Sequence, residues 1–277
     1  MSYFLNNRFL SNASKEKISI DDRGFTLGDG VFETMMSWNG NILFYKEHFQ
    51  RLKKSASFFG ISLEKNVNEV RSILDKLIQK NHLQKNNAII RITLTRGPAP
   101  RGLLPDKKNK PTFLIKITKS KKNFIFKPLS ASVCEITSRD LASPLNCYKT
   151  VNYLNNIIAL KDAKKRGFDE SIILNSKGRI ACVSTANIFI IKNKKIITPP
   201  ISEGVLPGTV RNYLLKKGLA SEAKITKNDL LNASESFITN SIALLRPISY
   251  VGFRSKKKRL EIKQSFKLIS VLSKILE

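Results

Sequence analysis

Residues 22–34 read Asp-Arg-Gly-Phe-Thr-Leu-Gly-Asp-Gly-Val-Phe-Glu-Thr, and no other stretch limits the fold as tightly. Gly24, Gly28 and Gly30 fall within seven residues, between charged side chains and directly ahead of an apolar run. Glycine reaches positive φ and lets backbones approach closely, so the spacing predicts a tightly shaped turn feeding a strand. On its own such a cluster is also what an ordinary structural loop looks like.

The rest of the chain alternates between helical and strand periods. Residues 3–10 read as a short hairpin around Asn6-Asn7. Phe49, Leu52, Ala56 and Phe59 share one helical face, and Gly60 supplies a stop. Val70, Ile73, Leu74, Leu77 and Ile78 repeat the pattern over 67–80. Strands are expected at 88–95 and 112–117, joined by a proline- and glycine-rich loop, 97–105. After a linker near 119–123 come a strand at 124–136, a helix at about 151–166 and a strand at 170–175. Lys177-Gly178 should then turn the chain into one long strand, 179–192. A helix is expected from Pro207, since proline suits a first turn, and an amphipathic one over 260–276. These elements predict an α+β chain of two unlike parts, 1–119 and 124–277.

Composition removes several function classes. At 277 residues and 42% hydrophobic content a sizeable core is expected. No secretory signal is visible and no apolar run approaches the roughly 20 residues of a membrane helix. Cys134, Cys147 and Cys182 are scattered and odd in number, which fits a reducing, cytoplasmic setting better than a disulfide scaffold. His48 and His82 are the only histidines, with no cluster at ligand spacing, so no metal site is expected. The net charge of +28 invites a nucleic-acid reading. However, the basic residues are mostly lysine, spread along the length, without interleaved aromatics or a helix-turn-helix, zinc-finger or RRM signature. A solvated lysine-rich surface is the simpler account; its positive field would also speed capture of an anionic small-molecule substrate.

Several residues could carry chemistry. Lys149, in Cys-Tyr-Lys-Thr-Val-Asn-Tyr just before a helix, has an amine that could form a Schiff base with an aldehyde cofactor, or simply be a surface lysine. Arg51 on the first long helix could offer a bidentate fork to a phosphate, or pair with a carboxylate. The segment Leu206-Pro-Gly-Thr-Val-Arg211 opens a helix, and free N–H groups at a helix start favour anions.

Taken together, these segments resemble the class IV (fold-type IV) pyridoxal-phosphate enzymes, a family of aminotransferases and lyases. The resemblance runs through the 22–34 segment, Arg51-Leu-x-x-Ser-Ala, Ser143-Pro-Leu with Lys149-Thr-x-Asn-Tyr-Leu-x-Asn, 178–189, 206–211 and Phe237-Ile-Thr-Asn-Ser-Ile242, in the family's order. It implies a smaller α/β lobe and a larger pseudo-barrel lobe carrying the lysine, usually in a homodimer, with pyridoxal 5′-phosphate (PLP) as cofactor. Lys149 would hold PLP covalently. Arg51, the N–H groups of Thr209 and Val210, Asn240 and Ser241 would cradle its phosphate, and Leu206 would pack on its ring. Thr95-Arg-Gly-Pro-Ala-Pro-Arg101-Gly resembles the loop whose arginine grips a substrate carboxylate; Arg101 is the better match and Arg96 the second. Phe32 is also expected to meet substrate.

One position departs from the family pattern. Five residues before Asn187 the family carries a glutamate that pairs with the PLP ring nitrogen and keeps it protonated; this chain has Cys182. A neutral thiol cannot support a pyridinium comparably, so amino transfer should suffer more than an elimination whose product is aromatic. Gly-Asp-Gly-Val-Phe-Glu-Thr-Met and Ile-Thr-Asn-Ser-Ile also look closer to the lyase branch acting on 4-amino-4-deoxychorismate. The expected reaction therefore yields p-aminobenzoate and pyruvate, as in folate synthesis. The alternatives are amino transfer on D- or branched-chain amino acids, a basic nucleic-acid binder on this scaffold, or an inactive relative.

Overall fold

The computed structural model describes residues 1–11, 16–106, 109–120, 126–253 and 256–276. The expected linker at 119–123 and the start of the strand expected at 124–136 fall largely outside them. The chain divides into two compact units, Met1–Asn123 with Tyr148–Asn152, and Phe124–Cys147 with Tyr153–Glu277.

The first unit is an antiparallel sheet of six strands: β1 (Ser2–Leu5), β2 (Arg8–Ser11), β3 (Gly30–Trp38), β4 (Asn41–Ile42), β5 (Ala88–Thr95) and β6 (Thr112–Lys119), in the order β2-β1-β6-β5-β3-β4. A single-turn helix, α1 (Arg23–Thr26), precedes β3. Helices α2 (Tyr45–Phe58) and α3 (Val67–Lys80) supply Phe49, Leu52 and Ala56, and Val70, Leu74, Leu77 and Ile78, to a core shared with Met35, Ile90, Ile92, Ile115 and Ile117. The 3–4 spacing of those residues puts them on one face of each helix. Asn66 and Glu69 form a reciprocal capping box that fixes where α3 starts.

The glycine-rich segment is the turn its sequence requires. Asp22 caps α1 by accepting from the Gly24 N–H, and its carboxylate also accepts from Thr95 and Thr112. Gly28 sits at φ 68°, where a side chain would be strained and would meet Asn152 Oδ1 at 2.2 Å. Beyond it the chain enters β3, whose edge also binds residues 148–152. Phe32 N–H donates to Lys149 O at 2.8 Å, and Val151 N–H donates to Gly30 O at 3.0 Å. These bonds group Lys149 with the first unit, whereas the sequence reading counts it within 124–277.

The second unit holds β7 (Leu129–Val133), β8 (Glu170–Leu174), β9 (Ile180–Val183), β10 (Asn187–Lys192), β11 (Lys195–Thr198), β12 (Ser221–Glu222), β13 (Glu235–Asn240), β14 (Leu244–Phe253) and β15 (Lys256–Arg259). They form a mixed sheet in the order β12-β11-β10-β13-β14-β7-β8-β9, with β15 added to β14. Among the helices are α4 (Leu154–Lys165), α5 (Thr209–Lys216), α6 (Lys227–Leu231) and α7 (Lys263–Ser273). The single strand expected over 179–192 is two, β9 and β10. Between them Val183 N–H turns back to Ala186 O, and the hydroxyls of Ser184 and Thr185 both donate to the buried Glu170 carboxylate. These local polar groups compete with the ladder and break it. The helix expected from about 151 begins at Leu154, because residues 148–152 are held by β3.

Candidate active site

In the first unit a polar cluster lies beneath β3. Glu33 is the one charged side chain of β3 and is 1% exposed. His48 and Arg51, three residues apart on α2, reach it together. Arg51 Nε and Nη2 donate to the two carboxylate oxygens at 2.7 Å each, and His48 Nδ1 lies 2.6 Å from Oε2. Because the carboxylate can only accept, that imidazole nitrogen carries the proton. Burial alone would raise the Glu33 pKa; the Arg51 charge and the hydrogen bonds from Arg51 and His48 outweigh it and bring it to about 2. For His48, burial holds the pKa below the usual imidazole range despite the Glu33 carboxylate, and the Arg51 and Lys149 charges add to that. His48 is thus a neutral donor.

Lys149 is half-buried, with Nζ 4.3 Å from the centroid of the Phe32 ring. The Arg91 guanidinium carbon lies 3.8 Å from that same centroid. The first unit thus brings Lys149, Phe32 and, through Glu33 and His48, Arg51 into one neighbourhood. Arg96 is held differently. It donates twice to Asp29, which also binds Arg23, and to the backbone oxygens of Phe59 and Gly60 at the end of α2. Arg101 is exposed, in the loop after β5; the carbonyls of the next two residues, Gly102 and Leu103, are held by Arg23.

In the second unit, α5 begins at Thr209 after Gly208, and no side chain caps that end. A Cβ at Gly208 would meet Asn187 Oδ1 at 1.9 Å, and Asn187 in turn donates to Leu206 O. The turn is therefore pinned from β10. Thr209 and Val210 are buried, Leu206 partly so. Asn240 ends β13; its side-chain oxygen accepts from the N–H groups of Ile242 and Ala243 and so shapes the turn containing Ser241.

Cys182 lies on β9, 5% exposed, in an apolar cluster with Cys134, Ala159, Ile173, Ala181 and Val205. The guanidinium of Arg139 lies beside it. Attraction to the Cys182 sulfur raises the Arg139 pKa, and burial opposes this.

Sequence reasoning missed Glu33, His48 and Arg139. A lone acid inside the apolar run 31–36, with histidine and arginine at helical i, i+3 spacing, was a usable signal for the first two. For Arg139, in an irregular Thr-Ser-Arg-Asp stretch, no local pattern existed.

Residues 30–251 match the family model for amino-transferase class IV. The "putative branched-chain-amino-acid aminotransferase" of Methanocaldococcus jannaschii is 32% identical over 92% of this chain and 89% of its own length. The D-alanine aminotransferase of Bacillus licheniformis is 31% identical over 91% and 88%. Among solved structures, that of the "putative 4-amino-4-deoxychorismate lyase" of Legionella pneumophila superposes with a TM-score of 0.84, at 27% identity, covering 96% of this chain and 98% of that one. Among the described residues no helix is long and apolar enough to cross a membrane.

Proposed function

The chain belongs to the amino-transferase class IV family, and from that premise we propose that it is a lyase that converts 4-amino-4-deoxychorismate to p-aminobenzoate and pyruvate. Enzymes of this family depend on PLP, and the residues here fit that group. Lys149 offers the amine, Arg51 a guanidinium charge held in place by its two bonds to Glu33, and α5 a helix start with glycine at its N-cap and no side-chain cap. Bound covalently to Lys149, PLP would supply an electron-poor ring that weakens bonds at the amine-bearing carbon of the substrate.

The chain's own groups then divide the work. Arg51 and the N–H groups of Thr209 and Val210 bind the cofactor phosphate, with Asn240 and Ser241 completing that end. Leu206 packs on the ring. Arg101 holds a substrate carboxylate, since the Arg96 guanidinium is already committed to Asp29 and the end of α2. Once the substrate amine has taken its place on the cofactor, the freed Lys149 amine would remove the proton from the amine-bearing carbon. The C–O bond to the enolpyruvyl group breaks as the ring becomes aromatic, and the same proton passes to the departing enol, which becomes pyruvate. Atoms balance without a second substrate.

The observation that carries the choice of lyase is the buried thiol of Cys182 where the family carries an acid. Amino transfer leans on a protonated ring as electron sink. Aromatisation brings its own driving force and tolerates a weaker one. The names of the two aminotransferases reported above support the second reading, amino transfer on D- or branched-chain amino acids. A homodimer in the cytoplasm, acting on an anionic small molecule, completes the proposal. The test is to load purified protein with PLP, supply 4-amino-4-deoxychorismate and follow both products. Stoichiometric p-aminobenzoate and pyruvate are expected. Keto acid formed from D-alanine or a branched-chain amino acid, with no p-aminobenzoate, overturns it.

A further inference from the structure

In the described part of the second unit Arg139 meets a thiol and two amides but no acid. No carboxylate lies within ion-pair distance of it among the described residues, whereas Arg179, Arg166 and Arg211 each have one. Its guanidinium meets the Cys182 sulfur and, through Nη1 and Nη2, the amide oxygens of Asn146 and Asn156 at 3.5 and 3.4 Å, while its Nε, like those of Arg166 and Arg211, is buried with no hydrogen-bonding partner. Backbone pairing fixes its place beside Cys182. Arg139 N–H donates to Leu174 O at 2.8 Å, and the preceding residue, Ile173, pairs with Cys182 across β8 and β9. Asn156, the partner of Nη2, donates to Ser184 O two residues beyond Cys182. A buried donor without an acceptor is costly unless a ligand supplies one.

We propose that Arg139 stands with Cys182 opposite the cofactor ring nitrogen and keeps that nitrogen unprotonated. This rests on the assignment of Cys182 to the ring-nitrogen position made above. A guanidinium donates only and does not lose its proton, so it can meet a pyridine nitrogen that presents its lone pair and not one that carries a proton. A fixed positive charge close by also disfavours a second one on the ring. The pair thereby selects substrates whose bond cleavage ends in a stable leaving group, and it disfavours reactions that need a carbanion held on the ring.

The test is NMR of the holoenzyme loaded with PLP labelled with ¹⁵N at the ring nitrogen. Wild type should give the shift of an unprotonated pyridine, constant across the neutral pH range. Cys182→Glu should move it to the pyridinium shift, because the new acid would pair with Arg139 and accept from the ring. Arg139→Met should move it part of the way, and Arg139→Lys should leave it in place. A pyridinium shift in wild type overturns the inference, as does an Arg139→Met spectrum identical to wild type. If Arg139→Met does not fold, the wild-type shift decides alone. Borohydride reduction followed by mass spectrometry is the separate control. No pyridoxyl group on Lys149 means that the PLP assignment itself has failed, whereas a labelled Lys149 with a pyridinium nitrogen sinks only the role of Arg139.

Discussion

The two units bury arginine in opposite ways. Beneath β3, Arg51 meets a carboxylate from its own unit, and Glu33 satisfies Arg51 and His48 at once. Beside β9, Arg139 has a thiol and two distant amides where an acid would complete it. The first arrangement is closed by the chain's own acid, which holds the guanidinium in one orientation. The second leaves part of its hydrogen-bonding capacity open. A guanidinium saturated by the chain therefore reads as structure, or as a pre-aimed ligand holder. One left short of an anion reads as a group whose partner is the cofactor or the substrate.

Lys149, over the Phe32 ring near the first unit's cluster, is the proposed cofactor lysine, and its removal should have the largest effect. Lys149→Ala should lower turnover by about 10²–10⁴-fold, the usual contribution of a positioned proton-transfer group, and more if covalent attachment is also essential. Turnover and the visible spectrum of PLP-loaded protein check it. Retention of half the wild-type rate would mean that another amine does the work.

The saturated cluster predicts a stability effect with a definite sign. Glu33→Gln leaves Arg51 and His48 buried without their anion and should cost about 3–5 kcal/mol in denaturant unfolding. The folded carboxyl titrates at about 2 instead of 4.5. A depressed carboxyl pKa contributes stability above its unfolded value and loses it as the pH falls. About 3 kcal/mol should therefore disappear between roughly pH 4.5 and 2 in wild type. The Gln variant should lack this acid limb; the same slope in both proteins would mean that another group titrates there. Less cofactor affinity is expected too, because Arg51 loses the group that aims it.

How much of this was legible beforehand varied with the range of the forces. α3 and β5 have the boundaries read from their periodicity, and the turn at 22–30 follows from its glycines, because those signals are local. The expected strand at 179–192 failed at Ser184 and Thr185, whose hydroxyls answer to Glu170, 14 and 15 residues away. Lys149 could be singled out from its local motif, whereas its grouping with the first unit depends on the hydrogen bonds of Phe32 and Val151 across the chain. Glu33 was visible as an oddity in a strand. Its meaning needed α2 folded beneath it. Arg139 could be seen only once β8 and β9 were paired.

A smaller effect is expected at the start of α5. Gly208→Ala places a methyl group 1.9 Å from Asn187 Oδ1, so either that amide, with its bond to Leu206 O, or the turn itself must shift. A stability loss of about 1–3 kcal/mol is expected, the usual cost of overpacking. Equilibrium dialysis should show weaker PLP binding out of proportion to that loss, because the displaced N–H groups are the proposed phosphate ligands. If stability falls and affinity does not, α5 is scaffold only.

The smallest effect separates two arginines five residues apart. Arg96 is tied to Asp29 and to the carbonyls of Phe59 and Gly60, so Arg96→Ala should unfold at lower denaturant. Exposed Arg101 carries no comparable load, and Arg101→Ala should change stability by less than about 0.5 kcal/mol. Its cost should fall on substrate capture, as a rise in KM of about tenfold for one lost charge-assisted hydrogen bond. With kcat nearly constant, the loss would be of binding common to ground and transition states. An unchanged KM would remove Arg101 from the site, and with it the rule that an unsaturated guanidinium here marks a place for a ligand.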